Sequence, residues 1–169
     1  MNVLVTGSNG FIGKNLIVKL NELGIAVLTY TRDNSIQDLP NLIRESDYIV
    51  HLAGENRPLD EKDFDLVNAG LTASICEVSR SIDRPVPIIL ASSTQAALGN
   101  AYGKSKLDAE IIVKEFGKST QIPVYIYRLP GVFGKWCKPN YNSVVATFCY
   151  NISHNLPVQV NNPSCELSL

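Results

Sequence analysis

The chain carries few of the features that would commit it to nucleic acid, membrane or metal. Its 15 Lys and Arg are balanced by 16 Asp and Glu, a formal net charge of -1. No basic run of the kind that tracks phosphates along a strand is present, so no nucleic-acid partner is expected. No stretch of about 18 apolar residues occurs, which excludes a spanning helix. Met1-Asn2 leads straight into a strand pattern without a basic segment or cleavage site, so no signal peptide is expected. The four cysteines (Cys76, Cys137, Cys149 and Cys165) are far apart and form no C-x-x-C pair. Reduced thiols in the cytoplasm, with no metal, are the expectation. Internal repeats and low-complexity tracts are also missing. What remains is an ordinary globular composition, 45% hydrophobic and 18% charged over 169 residues. One domain of that length buries roughly 70% of its unfolded surface.

The chain is organised around Val3–Gly13, an apolar run that enters Gly7, Gly10 and Gly13 and continues as a helix with Ile12, Leu16, Leu20 and Leu23 on one stripe. Strand, glycine turn, helix is the order that sets a pyrophosphate on backbone N–H groups at a helix N-terminus. Gly7, Asn9, Gly10, Phe11 and Ile12 are therefore candidate cofactor contacts, although a G-x-x-G-x-x-G spacing by itself also fits a plain structural turn.

Further along, Ile25–Thr31 reads as a second strand, Ser35–Glu45 as a short helix and Asp47–Leu52 as a buried strand. A polar loop over 55–63 precedes a long helical repeat through Phe64, Val67, Leu71, Ile75, Val78 and Ile82. Then come a strand at Ile88–Ala91, a helix from Ala101 to Lys118 and a strand at Val124–Leu129. This alternation predicts an α/β fold, a Rossmann-like doubly wound parallel sheet with helices on both faces. Residues 1–135 form the dinucleotide-binding domain in this reading. Residues 136–169 begin a substrate-binding region, with a helix around Val144–Ile152 and short strands at Val158–Val160 and at Cys165–Leu169. The last of these looks cut off in mid-course, as in a fragment of a longer protein.

The end of the second strand is where a carboxylate accepts from the ribose 2′-OH of NAD, or an Arg accommodates the 2′-phosphate of NADP. Here it reads Thr29-Tyr30-Thr31-Arg32. Arg32 points to NADPH, the competing reading being a solvated loop residue. Tyr102 and Lys106 lie four apart at the start of the helix that follows Ser92-Ser93-Thr94, and so share a face. A nearby ammonium lowers the tyrosine pKa and suits the pair to general acid–base chemistry. A hydroxyl at the preceding strand end can hold a substrate carbonyl oxygen. His51, at the end of a buried strand, reads as a hydrogen-bonded structural residue.

Taken together, Thr6-Gly7-x-x-Gly10-x-x-Gly13, His51-Leu52-Ala53-Gly54, Ser92-Ser93, Tyr102-x-x-x-Lys106 and Arg128-x-x-x-x-x-Gly134 resemble the extended short-chain dehydrogenase/reductases, the sugar epimerase/dehydratase group. The resemblance spans the chain. It implies Tyr102 as catalytic acid/base, Lys106 on the nicotinamide ribose and tuning Tyr102, and Ser93 on the substrate oxygen, with Thr94, one register away, as the alternative. It also implies Leu52, Ala53 and Gly54 lining the dinucleotide and Pro130 beside the nicotinamide. More narrowly, residues 51–58 and 134–143 are similar to CapF/WbjC-type bacterial enzymes. That similarity implies NADPH-dependent reduction of the C4 ketone of a UDP-2-acetamido-2,6-dideoxy-hexulose in UDP-N-acetyl-L-fucosamine synthesis for capsule and O-antigen. Arg57, Lys135, Lys138, Asn140 and Asn142 become candidate contacts to the UDP-sugar, since a diphosphate calls for cations and N–H donors. A basic surface turn is the competing reading of that loop. Trp136 either covers the ligand or seals the loop. A homodimer and a C-terminal cupin domain in the longer protein are further expectations.

Two departures bear on the outcome. Only the 15 residues Arg32–Ser46 separate the second and third strands, so one strand–helix unit is expected to be missing. Gly131 stands where the family often has a substrate-binding Asn. The alternatives are an NAD(P)-dependent epimerase or dehydratase acting on a UDP-sugar, and a non-catalytic dinucleotide-binding module.

Overall fold

The computed structural model describes residues 1–56, 64–160, 162–164 and 166. Arg57 therefore lies outside the described residues. Within Met1–Arg128, the first of two compact units, five apolar segments form the strands β1 (Asn2–Thr6), β2 (Ala26–Tyr30), β3 (Tyr48–His51), β4 (Ile88–Ser93) and β5 (Val124–Leu129). They make one parallel sheet in the order β2-β1-β3-β4-β5. In register, β1 pairs β2 from Asn2↔Ala26 to Thr6↔Tyr30, and β3 on its other edge from Val3↔Tyr48 to Thr6↔His51. The chain thus leaves β2 and crosses β1 directly, with no further strand outside β2. The short Arg32–Ser46 connection explains this, since it holds only a 3₁₀ turn, Ile36–Asp38, and α2 (Leu39–Glu45). The entry to that turn is fixed by a capping box: Ser35 accepts from the Gln37 N–H, and Asp38 accepts from the Ser35 N–H. The strand order reverses between β1 and β3, and the crevice outside their carboxyl ends is where open α/β sheets take ligands.

Alternation along the strands sorts the core. Leu4, Ile49, Ile88 and Leu90 face a layer made of α2, α3 (Leu71–Ser81) and α4 (Ala101–Thr120), where they meet Ile43, Ile75, Val113 and Phe116. Each of these fully buried side chains contributes roughly 1.5–3 kcal/mol. Val3 and Val5 are buried outside that cluster, on the face where α1 (Phe11–Glu22) covers β1 and β2. On β5, Val124 and Ile126 join the cluster, while Tyr125 and Tyr127 alternate away from it and are 47% and 56% exposed.

The helical repeat of 64–82 is not uniform. Asp65–Gly70 is a π-helical turn that runs into α3. The widening coincides with Asn68, a buried residue whose side chain is drawn outward to Glu55 and Ser105. On α3, the Ser79 hydroxyl is buried without a hydrogen-bond partner among the described residues. Ser79→Ala removes that desolvated group and improves helix propensity. It is expected to raise Tm by about 2–4 °C in a thermal melt, for a gain of about 1 kcal/mol.

The second unit, Leu129–Leu169, begins at the end of β5. Here the chain leaves the sheet, and the segment folds on itself through Cys137 N–H to Gly134 O and Asn140 N–H to Thr147 Oγ1. Its helix is α5 (Val144–Ser153), capped by Ser143 accepting from the Ala146 N–H. Val158–Val160 is irregular rather than a strand: both valines are exposed, with no strand paired to them among the described residues, and Pro157 O instead accepts from Asn151. The strand expected at Cys165–Leu169 falls almost wholly outside the described residues.

Candidate active site

At the carboxyl end of β1 the chain turns through Gly7 at φ +67°, a conformation that favours glycine. A Cβ there would also meet the Ala53 backbone N at 2.7 Å, so the absence of a side chain lets the β1 and β3 ends approach. Gly10 N-caps α1 with no side-chain cap, and no acidic residue occupies the first turn. The opening N–H groups of α1, from Phe11 and Ile12 onward, thus keep their donors and their partial positive charge for an anion. Asn9 and Gly10 are exposed beside them. This cradle fits the pyrophosphate of a dinucleotide.

A directed hydrogen-bond chain ties the turn to the opposite side of the crevice. Ala53 N–H donates to Thr6 Oγ1 (3.1 Å), and Thr6 Oγ1 lies 2.6 Å from His51 Nδ1. On the other side of the ring, Nε2 is 2.9 Å from Thr72 Oγ1, and Thr72 donates to the Asn68 carbonyl. Since the Thr72 proton is committed to Asn68, His51 must donate from Nε2 and accept at Nδ1 from Thr6. Burial, followed by the Lys106 charge, lowers the His51 pKa to about 3, so this is a neutral structural histidine. Asn68 then clasps the Glu55 main chain in both directions, Glu55 N–H to Oδ1 at 2.9 Å and Nδ2 to Glu55 O at 3.0 Å. Its Nδ2 also donates to Ser105 Oγ (2.9 Å), which donates to the Tyr102 carbonyl (2.8 Å).

β4 delivers Ser92 and Ser93 to opposite uses. The Ser93 hydroxyl caps the following 3₁₀ turn and lies close enough to the Tyr102 phenol to pull its pKa down, whereas Thr94 is exposed. The turn meets α4 closely at Gly103, where a Cβ would strike the Gln95 carbonyl, and Asn100 caps the helix by accepting from the Gly103 N–H at 2.7 Å. This seats Tyr102 beside Ser93 and against Phe64, with ring centroids 5.7 Å apart. One helical turn on, buried Lys106 donates to the Ala91 carbonyl (2.8 Å). The structure thus brings Ser93, Tyr102, Lys106 and the Gly7–Gly54 crevice into one neighbourhood.

The electrostatics differ from the sequence expectation in one respect. Burial raises the Tyr102 pKa, and the opposing influence is Ser93, not Lys106, whose ammonium donates to Ala91. Burial in turn lowers Lys106 to about 8, with Glu110 pulling the other way. Glu110, one further turn along α4, is fully buried and accepts from Ser92 (2.6 Å), from Arg128 Nε and Nη2 (2.8 Å each) and from Lys114 (3.4 Å). Arg128 first, outweighing burial, brings its pKa down to about 2. The four-residue step that pairs Tyr102 with Lys106 reaches Glu110 as well, a signal the sequence reading left unused. Asn68, an amide inside an apolar helical repeat, was another. Glu55 and Ser105 carried no comparable signal.

Arg32, just past β2, reaches Glu55 with Nη2 2.7 Å from Oε2. Leu52, Ala53 and Gly54 follow β3 along the crevice, and Gly54 adjoins Asn68. Pro130, Lys135, Lys138, Asn140 and Asn142 belong to the second unit. In it Lys135, Lys138, Asn140 and Asn142 are exposed, and the Lys135 ammonium sits over the Trp136 ring at 4.6 Å.

A family model described as the NAD dependent epimerase/dehydratase family matches residues 3–164. The chain belongs to that family. Among its epimerase/dehydratase relatives is a UDP-2-acetamido-2,6-beta-L-arabino-hexul-4-ose reductase of Pseudomonas aeruginosa. It is 51% identical over 170 residues, covering 100% of this chain and 46% of that protein. The solved capsular polysaccharide assembling protein CapF of Staphylococcus aureus superposes with a TM-score of 0.85 at 40% identity, covering 99% of this chain and 44% of that one. A UDP-glucuronic acid 4-epimerase of Bacillus cereus in complex with NAD gives a TM-score of 0.81 at 20% identity, over 94% and 64% of the two chains, and speaks to the fold alone. The chain spans about half the length of the first two relatives. Among the described residues no helix is long and apolar enough to cross a membrane.

Proposed function

We propose that this chain is the cofactor-binding half of a reductase that uses NADPH to reduce the C4 ketone of a UDP-2-acetamido-2,6-dideoxy-hexulose, within UDP-N-acetyl-L-fucosamine synthesis for capsule or O-antigen. The observation that carries the reading is the placing of Tyr102 by Ser93 with Lys106 one turn on, set at the carboxyl end of a parallel sheet beside an uncapped helix N-terminus. The reductase relative at 51% identity supports the substrate class, and the CapF neighbour supports the capsule setting.

NADPH, when bound, supplies a hydride to C4. Tyr102 donates its phenolic proton to O4, which completes the secondary alcohol. Burial raises the phenol's pKa, so at neutral pH it stands in the protonated form that this role requires. Ser93 holds the ketone oxygen against the phenol. Lys106 offers the nicotinamide ribose the N–H donors that Ala91 does not take. Gly7, Asn9, Gly10, Phe11 and Ile12 hold the pyrophosphate, Leu52, Ala53 and Gly54 line the dinucleotide, Pro130 lies by the nicotinamide, and Arg32 takes the 2′-phosphate. Arg57, Lys135, Lys138, Asn140 and Asn142 bind the UDP-sugar. A homodimer, a cupin domain in the longer protein and a cytoplasmic setting complete the proposal.

The test is NADPH consumption by the intact protein on the UDP-4-keto sugar, with the product identified by NMR. One NADPH oxidised per C4 alcohol formed is the expected result. Inversion at C4 or loss of water without net NADPH consumption would overturn it in favour of an epimerase or dehydratase.

A further inference from the structure

Resting on the reading of Arg32 as the 2′-phosphate group's partner, we infer that Glu55 is a specificity-determining residue that limits the preference for NADPH over NADH by holding a carboxylate against that phosphate. An acid in this crevice serves the 2′-OH of NAD and an arginine serves the 2′-phosphate of NADP. This chain has both, with the acid supplied from the end of β3 instead of β2.

The carboxylate is built in, and the arginine comes to it. The Glu55 main chain is held in both directions by Asn68, at 2.9 and 3.0 Å. Glu55 Oε1 accepts from the Asn56 N–H at 3.0 Å, and Oε2 accepts from Arg32 at 2.7 Å. Its side chain is 18% exposed, against 84% for Arg32. A phosphate brought to Arg32 must share the guanidinium with this fixed charge, and two anions on one cation repel. Asp33, the other carboxylate at the end of β2, is tied instead to the Thr31 hydroxyl.

The experiment is fluorescence titration of NADPH and NADH onto the intact protein and its variants. Glu55→Gln keeps the backbone clasp and the acceptor for Asn56 while removing the charge. It is expected to tighten NADPH about fivefold without tightening NADH, and the gain should shrink in 0.5 M salt, where screening falls to a few ångström. Asp33→Asn is expected to give no such gain. Unchanged or weaker NADPH binding by Glu55→Gln overturns the inference, as does an equal gain for NADH or from Asp33→Asn. Arg32→Ala separates this inference from the reading beneath it. If it weakens NADPH while Glu55→Gln brings no gain, only Glu55 is misassigned. If it leaves NADPH untouched, both fall.

Discussion

Replacing Tyr102 with phenylalanine is expected to cut reduction of the 4-keto sugar by about 10²–10⁴-fold, the usual worth of a positioned general acid. NADPH binding should stay within about twofold, because the variant keeps the ring and loses only the hydroxyl. The ring still packs on Phe64, and Ser93 still caps its turn through the Gln95 N–H at 3.2 Å. Steady-state kinetics and a binding titration on the same preparation check both halves. Turnover surviving in Tyr102→Phe would remove the phenol from the chemistry and leave a dinucleotide-binding module. The pH profile gives the sign independently. Reduction needs the protonated phenol, whose pKa is raised, so the rate should hold through neutral pH and fall only in the alkaline range. The reverse oxidation, which needs the phenolate, should rise there.

Glu110→Ala is expected to bring the largest loss of stability, about 3 kcal/mol, at the low end for breaking a buried ion pair. The low end applies because Arg128 is 41% exposed and can return to water, whereas Glu110 is 1% exposed. The loss leaves the buried Ser92 hydroxyl without its acceptor and frees β5 from α4. For a chain of this length, Tm should fall by about 6–12 °C. Acid titration of stability tests the cause. The folded pKa of about 2 lies below the ordinary 4.5, so the contribution is complete above 4.5 and is lost as pH falls from there toward 2. The shift corresponds to roughly 3 kcal/mol. Wild type and Glu110→Ala should therefore converge in acid. A Tm within 2 °C of wild type at neutral pH would remove Glu110 from the account of stability.

The alternation of elements, the missing strand–helix unit and the neighbourhood of Ser93, Tyr102 and Lys106 were legible because each rests on local pattern: apolar runs, a short connection, a four-residue step. The π turn at Asp65–Gly70 was not, since over six residues its period cannot be told from that of an α-helix. The influence of Lys106 on Tyr102 was misread because spacing says which groups share a face but not how deeply either is buried or what else claims the ammonium. Ala91, fifteen residues earlier, claims it. Glu55 and Arg32 stand 23 apart in sequence and meet only because β1 lies between the strands that carry them.

The hydrogen-bond chain through His51 can be read in one order only. Turning it round would require the ring to exchange tautomers and Thr72 to abandon the Asn68 carbonyl. One end is fastened to Ala53 beside the glycine turn and the other to the residue that clasps Glu55 and Ser105. The glycine turn and the helix that carries Tyr102 are thus surveyed from a common datum made entirely of uncharged groups. A change of pH that titrates Lys106, near 8, leaves that datum where it was, because His51 takes up no proton until about pH 3.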